Sequence, residues 1–501
     1  MDRPNVLVIF CDQLKATGTH LYGNVDVEAP SLQKLANEGV LFRHACTPHP
    51  LCVPARCALW TGRYPHANGS RRNETLMQEG QLHAFQLWKA QGYRTGLIGK
   101  NHCFNRAEDL DLFDVWNEIG HGGRRRTLPV KGMEWFRTLE QIDAGHATRR
   151  NMPKYGPSLS YATSDYPLED YSTGLIAGQT ERFLEQHAAE GEHDDEPFAL
   201  WVSIPDPHTP YEAPKKYADM YPPDQITMPP FVEGEMDDAP ERNKVIYSIL
   251  GLEDTPEEHF RGALATYYAM TRFIDDGVGQ IMAALDRLGL RENTIVVFTA
   301  DHGDFSGEHG MMNKGGVFYD CLTRIPMIVS WPGHVTEGVV DESMVNLVDV
   351  VPTLFALSGQ EIPRSMQGAP MPTVTDAAPR TATFSEYGCG GPEFTLDELK
   401  RLEQPIGTYA LMRSLQWREA EGRRKMVRTT EWKYVHDSMG DRDELYDLVN
   451  DPWELTNVVD DPANAAVLAD LRLRLANWSI DTEGDRPCPL PDPEKYDIFA
   501  D

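Results

Sequence analysis

The sequence predicts an α/β protein: a large central sheet, mixed but mostly parallel, flanked by helices and followed by a smaller C-terminal α+β domain with an antiparallel sheet. Three observations predict it. Short apolar, β-rich runs recur through the first two thirds of the chain, amphipathic helical patterns separate them, and past Gly359 the composition turns to Pro, Gly and Thr. Residues 5–11 (NVLVIFC), 95–98 (TGLI), 198–204 (FALWVSI), 294–299 (TIVVFT) and 326–331 (PMIVSW) are apolar at consecutive positions, so they are expected as buried parallel strands. Residues 31–38, 175–189, 260–288 and 349–357 carry helical patterns between and after them, which implies a sheet covered on both faces. Residues 425–435 (KMVRTTEWKYV) alternate in part, as a half-exposed antiparallel strand or hairpin does. The expected division is a large α/β domain over 1–365 and a smaller domain over 366–501, whose last fifteen residues, rich in Pro and acid, read as an extended arm.

Composition narrows the function. The 501 residues include 77 acidic and 47 basic side chains, a formal net charge of −30. Such a surface repels phosphate backbones and anionic lipid, which argues against nucleic-acid binding and membrane attachment. Any anionic substrate therefore needs a local positive pocket. No apolar run reaches the ~18–20 residues of a membrane-spanning helix, and the short apolar stretch at the start of the chain lacks the features of a secretory signal, so a cytoplasmic protein is expected. The eight cysteines, at 11, 46, 52, 57, 103, 321, 389 and 488, are too sparse for a disulfide framework and are expected as reduced thiols.

In an α/β sheet of this kind ligands bind beyond the carboxyl ends of the strands. Those ends deliver Asp12 and Gln13; Lys100 and His102; Asp206 and His208; Asp301, His302 and Asp304. A single carboxylate after a strand is as readily a helix cap or turn former. Taken together, Asp12, Asp301 and His302, with Gln13 as a fourth, form an oxygen-rich set with one imidazole that suits Ca²⁺, Mg²⁺ or Mn²⁺. Residues 92–101 (GYRTGLIGKN) superficially suggest a phosphate loop, but Arg94 and Asn101 stand where a P-loop needs Gly and Ser or Thr.

Residues 51–64 (LCVPARCALWTGRY) hold two cysteine arrangements. Cys57 to Arg63 is C-x5-R, the spacing of cysteine phosphatases, although the residues between are apolar and helix-compatible instead of Gly-rich. A disulfide or metal pair of Cys52 with Cys57 has no further ligand cysteines to support it. Cys52 to Arg56 is C-x-P-x-R, with Thr61-Gly62-Arg63 downstream.

The second arrangement resembles the signature of the type I, formylglycine-dependent sulfatases of the alkaline phosphatase superfamily. The resemblance runs along most of the chain in the family's order: a strand with Asp12, the cysteine motif, Gly99-Lys100-Asn101-His102, Pro207-His208-Thr209-Pro210-Tyr211, Asp301-His302-Gly303, Lys314, and Glu444-Leu445-Tyr446-Asp447-Leu448 with Asp451-Pro452. It implies that a separate formylglycine-generating enzyme oxidises Cys52, and that the resulting hydrate attacks sulfur and later expels sulfate through its second hydroxyl. It further implies a divalent cation held by Asp12, Gln13, Asp301, His302 and residue 52. Arg56 would steady the hydrate and Lys100 and Lys314 would neutralise sulfate oxygens. His208 would protonate the leaving oxygen and His102 would deprotonate the hemiacetal.

The resemblance implies a sulfuric ester hydrolase acting on a small sulfated substrate, with a phosphonate monoester hydrolase or phosphodiesterase on the same nucleophile as the alternative. A silent homologue that binds without turnover is disfavoured because every polar role has an occupant. Asp-Gln and Asp-His, where many sulfatases have Asp-Asp and Asp-Asn, resemble choline sulfatases and phosphonate hydrolases; Ca²⁺ is the first expectation, with imidazole shifting preference toward Mn²⁺. Lys100 and His102 resemble the sulfatase arrangement. The substrate pocket is expected to be built from residues 104–165 and 212–258; Arg124-Arg125-Arg126 in the first of these reads as a solvated basic patch more readily than as a substrate clamp, and Asn73 is a candidate contact to the leaving group. The tail is read as an arm that either exchanges in a homo-oligomer or lies on its own subunit.

Overall fold

A computed structural model describes residues 3–105, 109–121, 130–189, 196–390, 395–407 and 423–483. The strands in chain order are β1 (Asn5–Asp12), β2 (Val40–Cys46), β3 (Arg94–Gly99), β4 (Val115–Glu118), β5 (Val130–Lys131), β6 (Tyr161–Ser164), β7 (Phe198–Pro207), β8 (Tyr211–Pro214), β9 (Thr294–Ala300), β10 (Phe305–Ser306), β11 (Met312–Asn313), β12 (Met327–Ser330), β13 (Val339–Asn346), β14 (Thr383–Tyr387), β15 (Arg424–Arg428), β16 (Trp432–Asp437) and β17 (Glu444–Asp447). Nine of them form one sheet in the order β13-β2-β12-β9-β1-β7-β3-β4-β5. Its centre, β9-β1-β7-β3, is wholly parallel. These four strands are buried at every residue, which is why their sequences are apolar without alternation.

Helices cover the sheet. We label α1 (Pro30–Asn37), α2 (Cys52–Thr61), α3 (Ser172–Ala189), α4 (Glu257–Arg287), α5 (Val350–Leu357) and α6 (Ala465–Asp481). The 31-residue α4 buries one long face that includes Leu264, Tyr267, Ile274, Val278 and Ile281. Among the described residues no helix is long and apolar enough to cross a membrane.

One strand runs against expectation. The run 326–331 supplies β12, but β12 pairs antiparallel with both β9 and β2. The chain leaves β9, makes the β10–β11 hairpin and a single turn of helix at Asp320–Thr323, and re-enters the sheet without a crossover helix. A parallel neighbour would require a crossover of a dozen or more residues back to the other end of the sheet.

The strands β14–β17 form a separate four-stranded antiparallel sheet, and β15–β16 is the hairpin expected in residues 425–435. It packs against α6 through Val427, Tyr434, Leu445, Leu471, Leu475 and Trp478, with Ala58 and Tyr64 from the α2 region in the same cluster. The first residues past 365 lie against the large sheet's helices: the Gln367 and Gly368 amides donate to Gly62 O, at 2.8 and 3.0 Å. The expected C-terminal arm, Arg124-Arg125-Arg126 and Cys488 lie outside the described residues.

Candidate active site

The four central strands end at one level. The Asp301 amide donates to Cys11 O at 3.2 Å and the Lys100 amide to Ser203 O at 2.7 Å, so Asp12, Asp301, Lys100 and the 206–208 turn meet at the carboxyl edge. Beyond Asp12, Gln13 takes a left-handed backbone (φ 68°) and its amide donates to Asp301 Oδ1 at 2.9 Å. After His302 only glycine fits. A Cβ on Gly303 would lie 1.9 Å from the carbonyl oxygen of Cys321.

Cys52 opens α2, whose ten residues are all buried. Its sulfur is 3.3 Å from His302 Nε2 and 3.7 Å from Asp12 Oδ1, and Lys314 Nζ donates to it at 3.0 Å. His102 also hydrogen-bonds to it. The ligand atoms of Asp12, Cys52, Asp301 and His302 all lie within 4.8 Å of one another. His302 Nδ1 sits 2.8 Å from Gly303 O, which fixes the ring and leaves Nε2 facing Cys52.

Arg56, one turn along α2, is wholly buried beneath this group. Its Nε donates to Asp301 Oδ2 at 3.0 Å, Nη2 to Asp12 Oδ2 at 2.8 Å, and Nη1 to Ser203 Oγ at 2.8 Å and Lys100 O at 3.2 Å. The resemblance gives this guanidinium the hydrate; its hydrogen bonds in the structure align the two carboxylates. Lys100 Nζ contacts Asp12 Oδ2 and lies 2.8 Å from His121 Nε2. Lys314 Nζ is 3.0 Å from His208 Nε2, and the His208 and His121 rings stand 4.1 Å apart.

The charges act on one another. Burial and the Cys52 sulfur push the Asp12 carboxyl up, but Lys100, His208 and Arg56 outweigh them and hold it well below the usual carboxylate range. Burial opposes ionisation of Cys52, yet Lys314, Lys100 and His302 bring its thiol well below the ordinary cysteine value. Burial and the neighbouring Asp12 push Asp301 up, a closeness of carboxylates that a bound cation relieves. Burial and Lys314 hold His208 down at about 4.

The donor set fits a divalent cation. Two carboxylates and one imidazole converge, and the buried Gln13 Oε1 has no hydrogen-bond partner, although its Nε2 donates to Asn313 Oδ1 at 3.3 Å. A buried carbonyl oxygen without a hydrogen-bond partner, beside two carboxylates, is a donor that a hard cation would satisfy.

Other sequence candidates are engaged by neighbours within the protein. Asp206 accepts from Thr173 Oγ1 at 2.7 Å, and Asp304 accepts from the Tyr211 hydroxyl at 2.8 Å, its carboxyl pushed by burial to about 8. Asn73 Oδ1 accepts from the Val53 amide at 3.1 Å and so holds the first turn of α2. The C-x5-R reading is corrected: Cys57 lies inside the continuous helix α2, not in a phosphate-wrapping loop, and its sulfur faces Cys103 Sγ at 3.7 Å. His121 escaped sequence reading because β4 (VWNE) is too short to be recognised; the rule that selected the other strand ends would have found it.

Comparison with known proteins agrees with this geometry. The sequence model of the Sulfatase family matches residues 4–360. An ulvan-active sulfatase of Formosa agariphila is 30% identical over 372 residues, covering 73% of this chain and 64% of that protein's length. An arylsulfatase of Clostridium perfringens is 26% identical over 91% of this chain and 90% of its own. The phosphonate monoester hydrolase of Agrobacterium radiobacter superposes with a TM-score of 0.75 at 24% identity over 96% of each chain, and so shares the fold. With the family's sequence pattern covering the whole nine-stranded region, and a buried cysteine set among carboxylates, imidazoles and lysines at its centre, the chain belongs to the sulfatase family.

Proposed function

We propose that the chain hydrolyses a sulfate monoester to an alcohol and inorganic sulfate, using a formylglycine made from Cys52 and one divalent cation, Ca²⁺ first among candidates, held by Asp12, Gln13, Asp301 and His302. The observation that carries the reading is the setting of Cys52: the first residue of a buried helix, touched by one ammonium, close to a second and beside a carboxylate–imidazole donor set. When present, the cation supplies Lewis-acid polarisation and the formylglycine supplies a nucleophile with a second hydroxyl.

The chain's own residues do the rest. Lys314 and Lys100 flank residue 52 and supply the local positive charge that a sulfate needs to enter a protein of net charge −30. His208 Nε2, held beside Lys314, is placed to give a proton to the leaving oxygen once an anionic substrate offsets the lysine charge that, together with burial, keeps it neutral. His102, hydrogen-bonded to residue 52, takes the proton that releases sulfate. Arg56 and the His302–Gly303 contact keep the anionic groups aligned, so little reorganisation is left for the reacting state. Because Cys52 is 1% exposed in the folded chain, the generating enzyme must act before α2 packs.

The test is kcat/KM for 4-nitrophenyl sulfate against a phosphonate monoester and a phosphate diester under identical metal conditions. A sulfate preference supports the reading; a preference for the phosphonate or the diester replaces it with the hydrolase alternative.

A further inference from the structure

Three cations, Arg71, Arg423 and Lys425, gather beside the site; among the described residues Arg71 and Arg423 form no ion pair, and Lys425 faces Glu386 across the ladder. Arg71 lies two residues before Asn73, which holds the first turn of the Cys52 helix, and its charge also acts on His49, three residues before Cys52. Arg71 Nη1 donates to Gly388 O at 3.4 Å, at the end of β14. Across the ladder Glu386 pairs with Lys425, and the Glu386 amide donates to Pro48 O at 2.9 Å, so this edge of the small sheet runs along the segment that leads into Cys52. Arg423 and Lys425 are two residues apart and share a face of that edge. Arg423 is exposed; Arg71 and Lys425 are half-buried.

The contrast with Arg424 is informative. It points to the opposite face and is paired with Asp437 and Asp441, at 2.5 and 2.8 Å. Among the described residues no carboxylate forms an ion pair with Arg71, Arg423 or Lys425, in a chain with thirty more acids than bases. Glu386, opposite Lys425 in the ladder, accepts from the His66 amide at 2.6 Å and lies 2.9 Å from its ring nitrogen, while its charge also acts on Lys425. Lys425 Nζ rests on the Trp478 ring and donates to Ser479 Oγ at 3.2 Å. Burial and the charges of Arg71 and Arg423 depress its ammonium against the opposing pull of Glu386 and Glu483, so the cations disfavour one another.

We propose that Arg71, Arg423 and Lys425 form a second anion subsite that takes a carboxylate or a further sulfate on the substrate, away from the ester being cleaved. The proposal rests on the sulfatase reading and deepens it: the substrate is a polyanionic sulfate ester. Two extended residues span at most ~7 Å, so the Arg71 backbone lies within a short reach of the Asn73–Val53 contact at the start of the Cys52 helix. Two guanidinium groups present forked donors that match planar or tetrahedral oxyanions, and the ammonium adds a point charge.

The test uses the full chain with Cys52→Ala, which cannot turn over, and calorimetry with three ligands. They are a mono-sulfated, glucuronate-containing disaccharide, its methyl ester, and a disulfated disaccharide without the carboxylate. One or both of the doubly anionic ligands should bind roughly tenfold more tightly than the ester, and adding Arg71→Gln with Arg423→Gln should abolish the difference while the protein stays folded by circular dichroism at the assay temperature. In the active protein the same pair of substitutions should leave 4-nitrophenyl sulfate turnover within twofold. Equal affinity for all three ligands, or a preference that survives both substitutions, overturns the subsite. Sulfate release is measured separately: preferential binding without any release keeps the subsite and removes the hydrolase reading, whereas release without preference does the reverse.

Discussion

Replacing Arg56 by Met tests how the site is held together. The guanidinium is fully buried and bonded to Asp12, Asp301, Ser203 and the Lys100 carbonyl, so the substitution keeps apolar bulk and deletes a charge flanked by two buried carboxylates. Breaking one side of a buried ion pair costs about 3–5 kcal/mol, because the remaining charge is left without compensation. Here one cation serves two carboxylates, and the upper part of that range is expected in metal-free protein. The measurement is urea unfolding in chelator, followed by fluorescence and circular dichroism. Arg56→Met with Asp301→Asn should be more stable than the sum of the two losses predicts, since the second change removes one of the repelling charges. A loss below ~1 kcal/mol for Arg56→Met, or strict additivity in the double variant, would refute the reasoning.

Other outcomes follow from the same geometry. Asp12→Ala and Asp301→Ala should each lose bound divalent cation, read by elemental analysis, together with turnover; full metal content in both would remove them from the donor set. His208→Ala should reduce turnover of alkyl sulfates far more than that of 4-nitrophenyl sulfate, whose phenolate leaves without a proton, and equal losses would exclude acid catalysis by this residue. Burial raises Glu386, but its hydrogen bond to His66 and the charges of His66, Arg71 and Lys425 outweigh this and hold it at about 2 against an ordinary 4.5. Its contribution to stability is therefore present above pH 4.5 and lost as pH falls toward 2. Glu386→Gln should lower stability at neutral pH and flatten the acid limb across that window; an unchanged limb contradicts the assignment.

The legible part of the fold is its centre. β9, β1, β7 and β3 are buried on both faces, so their sequences are uninterrupted apolar runs, and every strand end they deliver was open to inspection. β2 and β13 escaped notice because they carry Arg43 and His44, and Asp341, Glu342 and Ser343, at positions where the sheet is less enclosed. The direction of β12 depends on how the chain returns after β11, which no local pattern encodes. The site divides along the same line. Asp12, Gln13, Lys100, His102, His208, Asp301 and His302 follow recognisable strands. Lys314 lies in an irregular loop and is reached only through the family resemblance, while His121 follows a strand too short to read. Asp206 and Asp304 satisfy the same strand-end rule yet serve as hydrogen-bond partners of Thr173 and Tyr211, because position after a strand does not fix which way a side chain turns.

The central claim, that residue 52 acts as an oxidised cysteine, is tested most directly by peptide mass spectrometry of catalytically active protein. The account predicts an aldehyde in place of the thiol at Cys52 and an unmodified thiol at Cys57. Fully active protein with an intact thiol at Cys52 would contradict it.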